Sequence, residues 1–169
     1  MIFITLGTHH DPFPRLIDGL RGLRADELVV QYGHSPAPLH ASNAAQFLPF
    51  VELVEHIRTA DAVVTHAGVG SILTCLRLGK TPLVVPRQSS FGEHVDDHQV
   101  ELTHALADAG KVIPVWDVSD LPDLVEVAVP TPTFENGAND GFHRAVRDAL
   151  RPAPRRFFRR SRAAASIAS

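Results

Sequence analysis

Two glycines stand two apart in HAGVGS, residues 66–71, between His66 and Ser71. Glycine lets backbone N–H groups approach a ligand closely. Where such a turn opens a helix, the free N–H groups and the helix dipole favour an anion. Two better-known phosphate signatures do not fit. A Walker A loop needs a glycine five residues before Gly79, where Thr74 stands, and its Gly-Lys-Thr must open a helix, whereas Pro82 follows here. A dinucleotide fingerprint needs a glycine three residues after Gly70, and that residue is Leu73. The second dense stretch is GEHVDDHQ, residues 92–99. Glu93, His94, Asp96, Asp97, His98 and Gln99 are types that hydrogen-bond sugar hydroxyls or a diphosphate, and Asp96 or Asp97 could instead cap a helix start. His94 and His98 are four apart, a zinc-like spacing, but Val-Asp-Asp lies between them and no third ligand is evident nearby.

The elements around these residues set their geometry. ADAVVT, residues 60–65, is short, β-branched and apolar, as a strand buried on both faces should be. Ile72, Leu73, Cys75, Leu76 and Leu78 follow at helical spacing, and TPLVVP reads as the next strand. The glycine segment is therefore the turn of a βαβ unit. Elsewhere, MIFITLG, ELVVQYG, AAQFLPF and KVIPVW read as strands. Helices are expected at Leu16–Leu23, at VELVEHIRTA, at LPDLVEVA and at FHRAVRDAL. A further helix after the polar loop carries an apolar face of Val95, Leu102, Ala105 and Leu106. Alternating strands and helices predict an α/β, Rossmann-like, doubly wound parallel sheet. Such sheets bind ligands outside the carboxyl ends of their strands, where the Gly7, Gly68 and Arg87 loops should converge.

The 169 residues suffice for one domain with a proper core. No apolar run approaches the roughly 20 residues of a membrane span, and MIFITLG reads as a strand rather than a basic leader. Cys75, the single cysteine, falls on a buried helix face and reads as core in a reducing compartment. Residues 151–169 carry six arginines and no acid, while residues 1–150 net about −9. That acidic body argues against nucleic-acid binding. The division expected is a ligand-binding domain over residues 1–150 and a basic, disordered tail over 151–169.

GTH after the first strand, HAGVGSIL, LGKTPLVVPRQ and GEHVDDHQ, in this order, resemble the carboxyl-terminal half of family 28 glycosyltransferases. The resemblance covers roughly residues 1–130. It is nearest to the stand-alone form of bacterial exopolysaccharide synthesis and extends to the catalytic subunit of the eukaryotic enzyme that adds the second N-acetylglucosamine to a dolichol-linked sugar. It implies one half of a GT-B fold that binds a UDP-sugar. Gly7, Thr8, His66, Gly68, Gly70, Ser71 and Arg87 would then face the nucleotide and diphosphate. Glu93, Asp97, His98 and Gln99 would face the donor sugar, with His94 and Glu93 as candidate catalytic groups; for the base the candidates are His94, His66 and a group from the other half of the enzyme. Relatives often have an acid near Thr74 to hold the ribose, and Thr81 interrupts a run that usually reads Gly-Lys-Pro.

The function implied is the donor-binding, catalytic subunit of a two-component inverting glycosyltransferase in polysaccharide biosynthesis. It would pass a sugar from UDP to a lipid-linked acceptor without a metal or other cofactor. The expected partner is a membrane-anchored amino-terminal half, which recruits a cytoplasmic chain to the inner membrane face. The basic tail would add peripheral membrane contact, and self-association is allowed when the chain is alone. The competing readings are a non-catalytic nucleotide-sugar-binding or regulatory subunit and a metal enzyme built on His94 and His98.

Overall fold

A computed structural model describes residues 1–128. The elements in chain order are β1 (Ile2–Thr5), α1 (Pro14–Gly19), β2 (Leu28–Gln31), β3 (Asn43–Ala45), α2 (Phe50–Thr59), β4 (Ala62–His66), α3 (Val69–Arg77), β5 (Leu83–Val85), α4 (His98–Asp108), β6 (Ile113–Pro114) and α5 (Leu121–Ala128). The six strands form one sheet in the order β3-β2-β1-β4-β5-β6. Every pairing is parallel. The order reverses at β1, so the loops leaving β1 and β4 diverge to opposite sides and leave a crevice between them.

The strands are apolar throughout because both faces of the sheet are covered. Ile2 and Ile4 of β1 point to one face, with Leu16, Leu20, Leu28 and Val64. Phe3, between them, points to the other face, with Ile57, Val63 and Cys75. A third cluster joins Val84 to Ile72, Leu102 and Leu106 under α3 and α4. Cys75 is fully buried as core, and burial pushes its thiol up to about 12.

Three sequence expectations are corrected. AAQFLPF is not a strand throughout: β3 ends at Ala45 and Pro49 is the N-cap of α2. Proline cannot donate to a ladder, so the chain turns into the helix there. Val95 is not on the apolar face of α4; the helix starts at His98 and Val95 is 89% exposed. KVIPVW contributes only Ile113 and Pro114, a proline tolerated because β6 is an edge strand. The expected helix over residues 142–150 and the basic tail over 151–169 lie outside the described residues.

Candidate functional site

Parallel pairing places Thr5, Gln31 and Thr65 side by side at the carboxyl ends of β1, β2 and β4. The chain then leaves β1 through Gly7 and β4 through Gly68. Gly7 has φ 73°, and a methyl group on either glycine would overlap the His66 imidazole. The ring is thus held between two backbones that only glycine permits. His66 is buried, and desolvation, helped by the charge of Arg87, lowers its pKa to about 4. It is a neutral imidazole at physiological pH.

These turns form one wall of an open cleft of about 760 Å³. Gly7, Thr8, His66, Gly68, Gly70 and Ser71 all line it. Gly68 is the N-cap of α3 and supplies no side-chain cap, so the first turn of the helix keeps unpaired N–H groups. A Cβ on Gly70 would meet nothing within 4 Å. The opposite wall is Phe50 and Leu53 of α2, with Gln31 at the base. Gln31 is fixed there, donating to Thr5 Oγ1 at 3.2 Å and accepting from Leu48 N–H at 3.2 Å. Thr74 also lines the cleft, and its hydroxyl donates back to the Gly70 carbonyl at 2.8 Å.

The remaining predicted residues sit in the loop that follows β5 and in the first turn of α4, outside the lining of this cleft. Three successive backbone N–H groups of that loop each meet a side-chain acceptor. Arg87 N–H donates to Gln99 Oε1 at 3.1 Å, Gln88 N–H to Glu93 Oε2 at 3.1 Å, and Ser89 N–H to Asp97 Oδ1 at 2.9 Å. Asp97 accepts from the Ser89 hydroxyl as well. Asp97 is the N-cap residue of α4 but its side chain makes no capping bond; Asp96, one residue earlier, accepts from His98 N–H at 3.2 Å. Glu93 is 4% exposed and takes two bonds from Arg15 of α1, at 2.8 and 2.9 Å. Much of the polar chemistry of GEHVDDHQ therefore shapes its own loop and ties it to α1.

Arg87 turns inward, as the diphosphate assignment requires, but its contacts are with protein. The guanidinium lies 4.6 Å from the Phe13 ring centroid and donates to the carbonyls of Pro12 and Glu93. Its Nε is buried and has no hydrogen-bond partner among the described residues. Its charge still reaches the cleft, because it lowers the pKa of both His66 and His9.

His9, which lines the cleft, stacks on His10 at 4.6 Å and lies 5.4 Å from the His94 ring. Among the described residues, His9, His10 and Asp11 are the one group with metal-ligating atoms all within 4.8 Å of one another. His94 and His98 instead direct their Nδ1 atoms at Asp96 Oδ1, 3.1 and 3.3 Å away. Sequence reasoning missed His9, Gln31, Phe50 and Leu53. The strand ends announced Gln31 and His9, whereas the turn of α2 back over the sheet had no local signal.

The model of the glycosyltransferase family 28 C-terminal domain matches residues 1–136. The UDP-N-acetylglucosamine transferase subunit ALG13 of Cryptococcus neoformans (strain JEC21) is 48% identical over 71 residues, 40% of this chain and 32% of the relative. The protein of that name from Yarrowia lipolytica is 38% identical over 97 residues, 53% of this chain and 47% of the relative. The chain thus spans about a third to a half of the length of these curated relatives. Among solved structures, the glycosyltransferase SnogD from Streptomyces nogalater superposes with a TM-score of 0.50 at 22% identity, covering 88% of this chain and 38% of that one. That likeness is one of fold.

Proposed function

The chain belongs to the family of glycosyltransferase family 28 C-terminal domains, and from that premise we propose that it is the donor-binding, catalytic subunit of a two-component inverting glycosyltransferase. The donor is a UDP-sugar, with UDP-N-acetylglucosamine the first to test because the relatives are named for it. The acceptor is a lipid-linked sugar at the inner membrane face. No helix among the described residues is long and apolar enough to cross a membrane, so the proposed partner supplies the anchor and the acceptor side.

The observation that carries this reading is the cleft, where two glycine turns and an uncapped helix start converge on a neutral histidine. The diphosphate lies against the N–H groups near Gly7, Thr8 and Gly68–Ser71. It gains negative charge as the sugar leaves, and N–H dipoles fixed in advance stabilise that charge without reorganising. Buried Arg87 adds a positive potential from behind. Phe50, 69% exposed at the cleft edge, offers the base a flat apolar wall, and the Thr74 hydroxyl keeps lone pairs for a ribose hydroxyl. Gln99 retains its amide donors and His98 is exposed, so these two are the sugar contacts assigned to the loop. Glu93 and Asp97 position it.

The test is calorimetry with UDP, UDP-N-acetylglucosamine, ADP and NAD, without added metal. Binding of the two uridine ligands in preference to ADP and NAD is expected. Preference for either adenine ligand, or binding only after metal is added, would sink the proposal. Gln99→Ala should then lower affinity for the UDP-sugar more than for UDP, by about 0.5–1.5 kcal/mol for one lost hydrogen bond.

A further inference from the structure

The proposed transfer needs a base for the acceptor proton, and the segment after β5 offers an arrangement suited to it. Asp96 Oδ1 lies 3.1 Å from His94 Nδ1, 3.3 Å from His98 Nδ1 and 3.2 Å from the backbone nitrogen of His98. A carboxylate only accepts, so the His94 proton sits on Nδ1 and donates to Asp96. The lone pair is then on Nε2, which no hydrogen bond among the described residues engages. The ring is 20% exposed and lies 5.4 Å from His9, a lining residue of the cleft. His94 therefore stands one ring beyond the cleft wall, on the side of the loop assigned to the sugar.

We propose that His94 is the general base of the transfer and that Asp96 is its positioning residue, fixing the tautomer that leaves Nε2 free; this rests on the donor-site reading above. The acceptor oxygen forms its bond to the anomeric carbon while its proton passes to His94 Nε2. The bond from that carbon to the diphosphate oxygen breaks, and its electron pair leaves on UDP. Asp96 stabilises the imidazolium that results without taking the proton. It is held ionised, chiefly by the backbone N–H of His98, with the neighbouring histidines adding to the effect. The charged and titratable groups around His94 are Asp96 and His98 on its own segment, and His9, with His10 and Asp11 behind it, on the β1–α1 loop.

Asp96→Asn, Asp96→Glu and His94→Gln test this, in the isolated chain and in the assembly with the amino-terminal-half subunit. Histidine-resolved ¹⁵N NMR of the isolated chain should show His94 as the Nδ1–H tautomer, with that preference lost in Asp96→Asn and recovered in Asp96→Glu. In the assembly, Asp96→Asn should cut kcat at least tenfold and shift the acidic limb of its pH profile, because a general base must be unprotonated. UDP-sugar affinity should stay within twofold in all three variants. A His94 tautomer that ignores Asp96→Asn, or wild-type transfer by His94→Gln, overturns the proposal. Failure of the unaltered chain to bind any UDP-sugar counts against the donor-site reading instead, and the NMR result still decides the dyad.

Discussion

A methyl group at Gly68 and side-chain atoms at Gly70 meet opposite surroundings two residues apart. At Gly68 the methyl overlaps the His66 ring, which is itself held by Gly7; at Gly70 it enters open space in the cleft. Gly70→Val should therefore keep the fold, with a midpoint in a thermal melt within a few degrees, and lose UDP binding by calorimetry. Unchanged affinity in the folded variant would return that turn to a purely structural role. Gly68→Ala should lower the melting midpoint, because the imidazole cannot retreat from the opposite backbone. His66 also makes stability depend on pH. Its folded pKa is about 4 against an ordinary 6.5, so the unfolded chain binds more protons between those values. The contribution is fully present above about pH 6.5 and is lost progressively as pH falls toward 4, by roughly 3 kcal/mol in total. His9 is shifted in the same direction. Urea melts at pH 7.5 and pH 4.5 should show the loss, and His66→Gln should flatten it. An equal slope in that variant would assign the dependence to other groups.

Between elements, the tie that matters is the one from α1 to the loop after β5. Arg15 makes a two-bond ion pair with Glu93 and also donates to the Pro86 carbonyl at 2.8 Å. Its guanidinium lies 4.8 Å from the Phe91 ring centroid. Both partners are largely withdrawn from water, at 16% and 4% exposed. Arg15→Met strands a buried carboxylate, and removing one member of such a pair costs about 3–5 kcal/mol. Adding Glu93→Gln should recover part of that loss, because no buried carboxylate is then left without Arg15. Urea denaturation of the single and double variants reads the coupling, and strictly additive losses would mean that the pair does not act as a unit. Hydrogen exchange at the Gln88 amide, whose N–H also depends on Glu93, should quicken in Arg15→Met.

At the scale of the whole molecule, the proposal makes transfer a property of two chains. The family matched is that of a C-terminal domain, and this chain covers 38% of the solved glycosyltransferase whose fold it shares. Purified alone, it should bind donor but transfer no sugar to a lipid acceptor; co-expressed with the amino-terminal-half subunit, it should transfer. Robust transfer by the single chain would overturn the two-component reading. The six arginines of residues 151–169 bear on recruitment, since attraction to anionic lipid is worth about 1 kcal/mol per basic residue near the surface. A version ending at Leu150 should show reduced sedimentation with anionic vesicles, and unchanged sedimentation would remove that role from the tail.

By itself the sequence determined the parallel α/β architecture, the βαβ unit around HAGVGS and the glycines of the turn that opens α3. These are local facts: β-branched runs, a helical stripe and residues whose lack of a side chain has consequences within a few positions. It also announced the resemblance to family 28, which the family match bears out. Tertiary structure decided what each polar residue of GEHVDDHQ does. Sequence counts carboxylates and amides, but whether they face a ligand depends on which backbone groups the fold leaves without partners. Here the N–H groups of Arg87, Gln88 and Ser89 needed acceptors, and Gln99, Glu93 and Asp97 supplied them. The partner of Glu93, Arg15, lies 78 residues away, a separation that no local pattern reveals. The same holds for Phe50 in the cleft wall and for His9 against His94. Those contacts exist because the sheet brings the ends of β1, β4 and β5 to one edge, and side chains meet there by topology rather than by spacing along the chain.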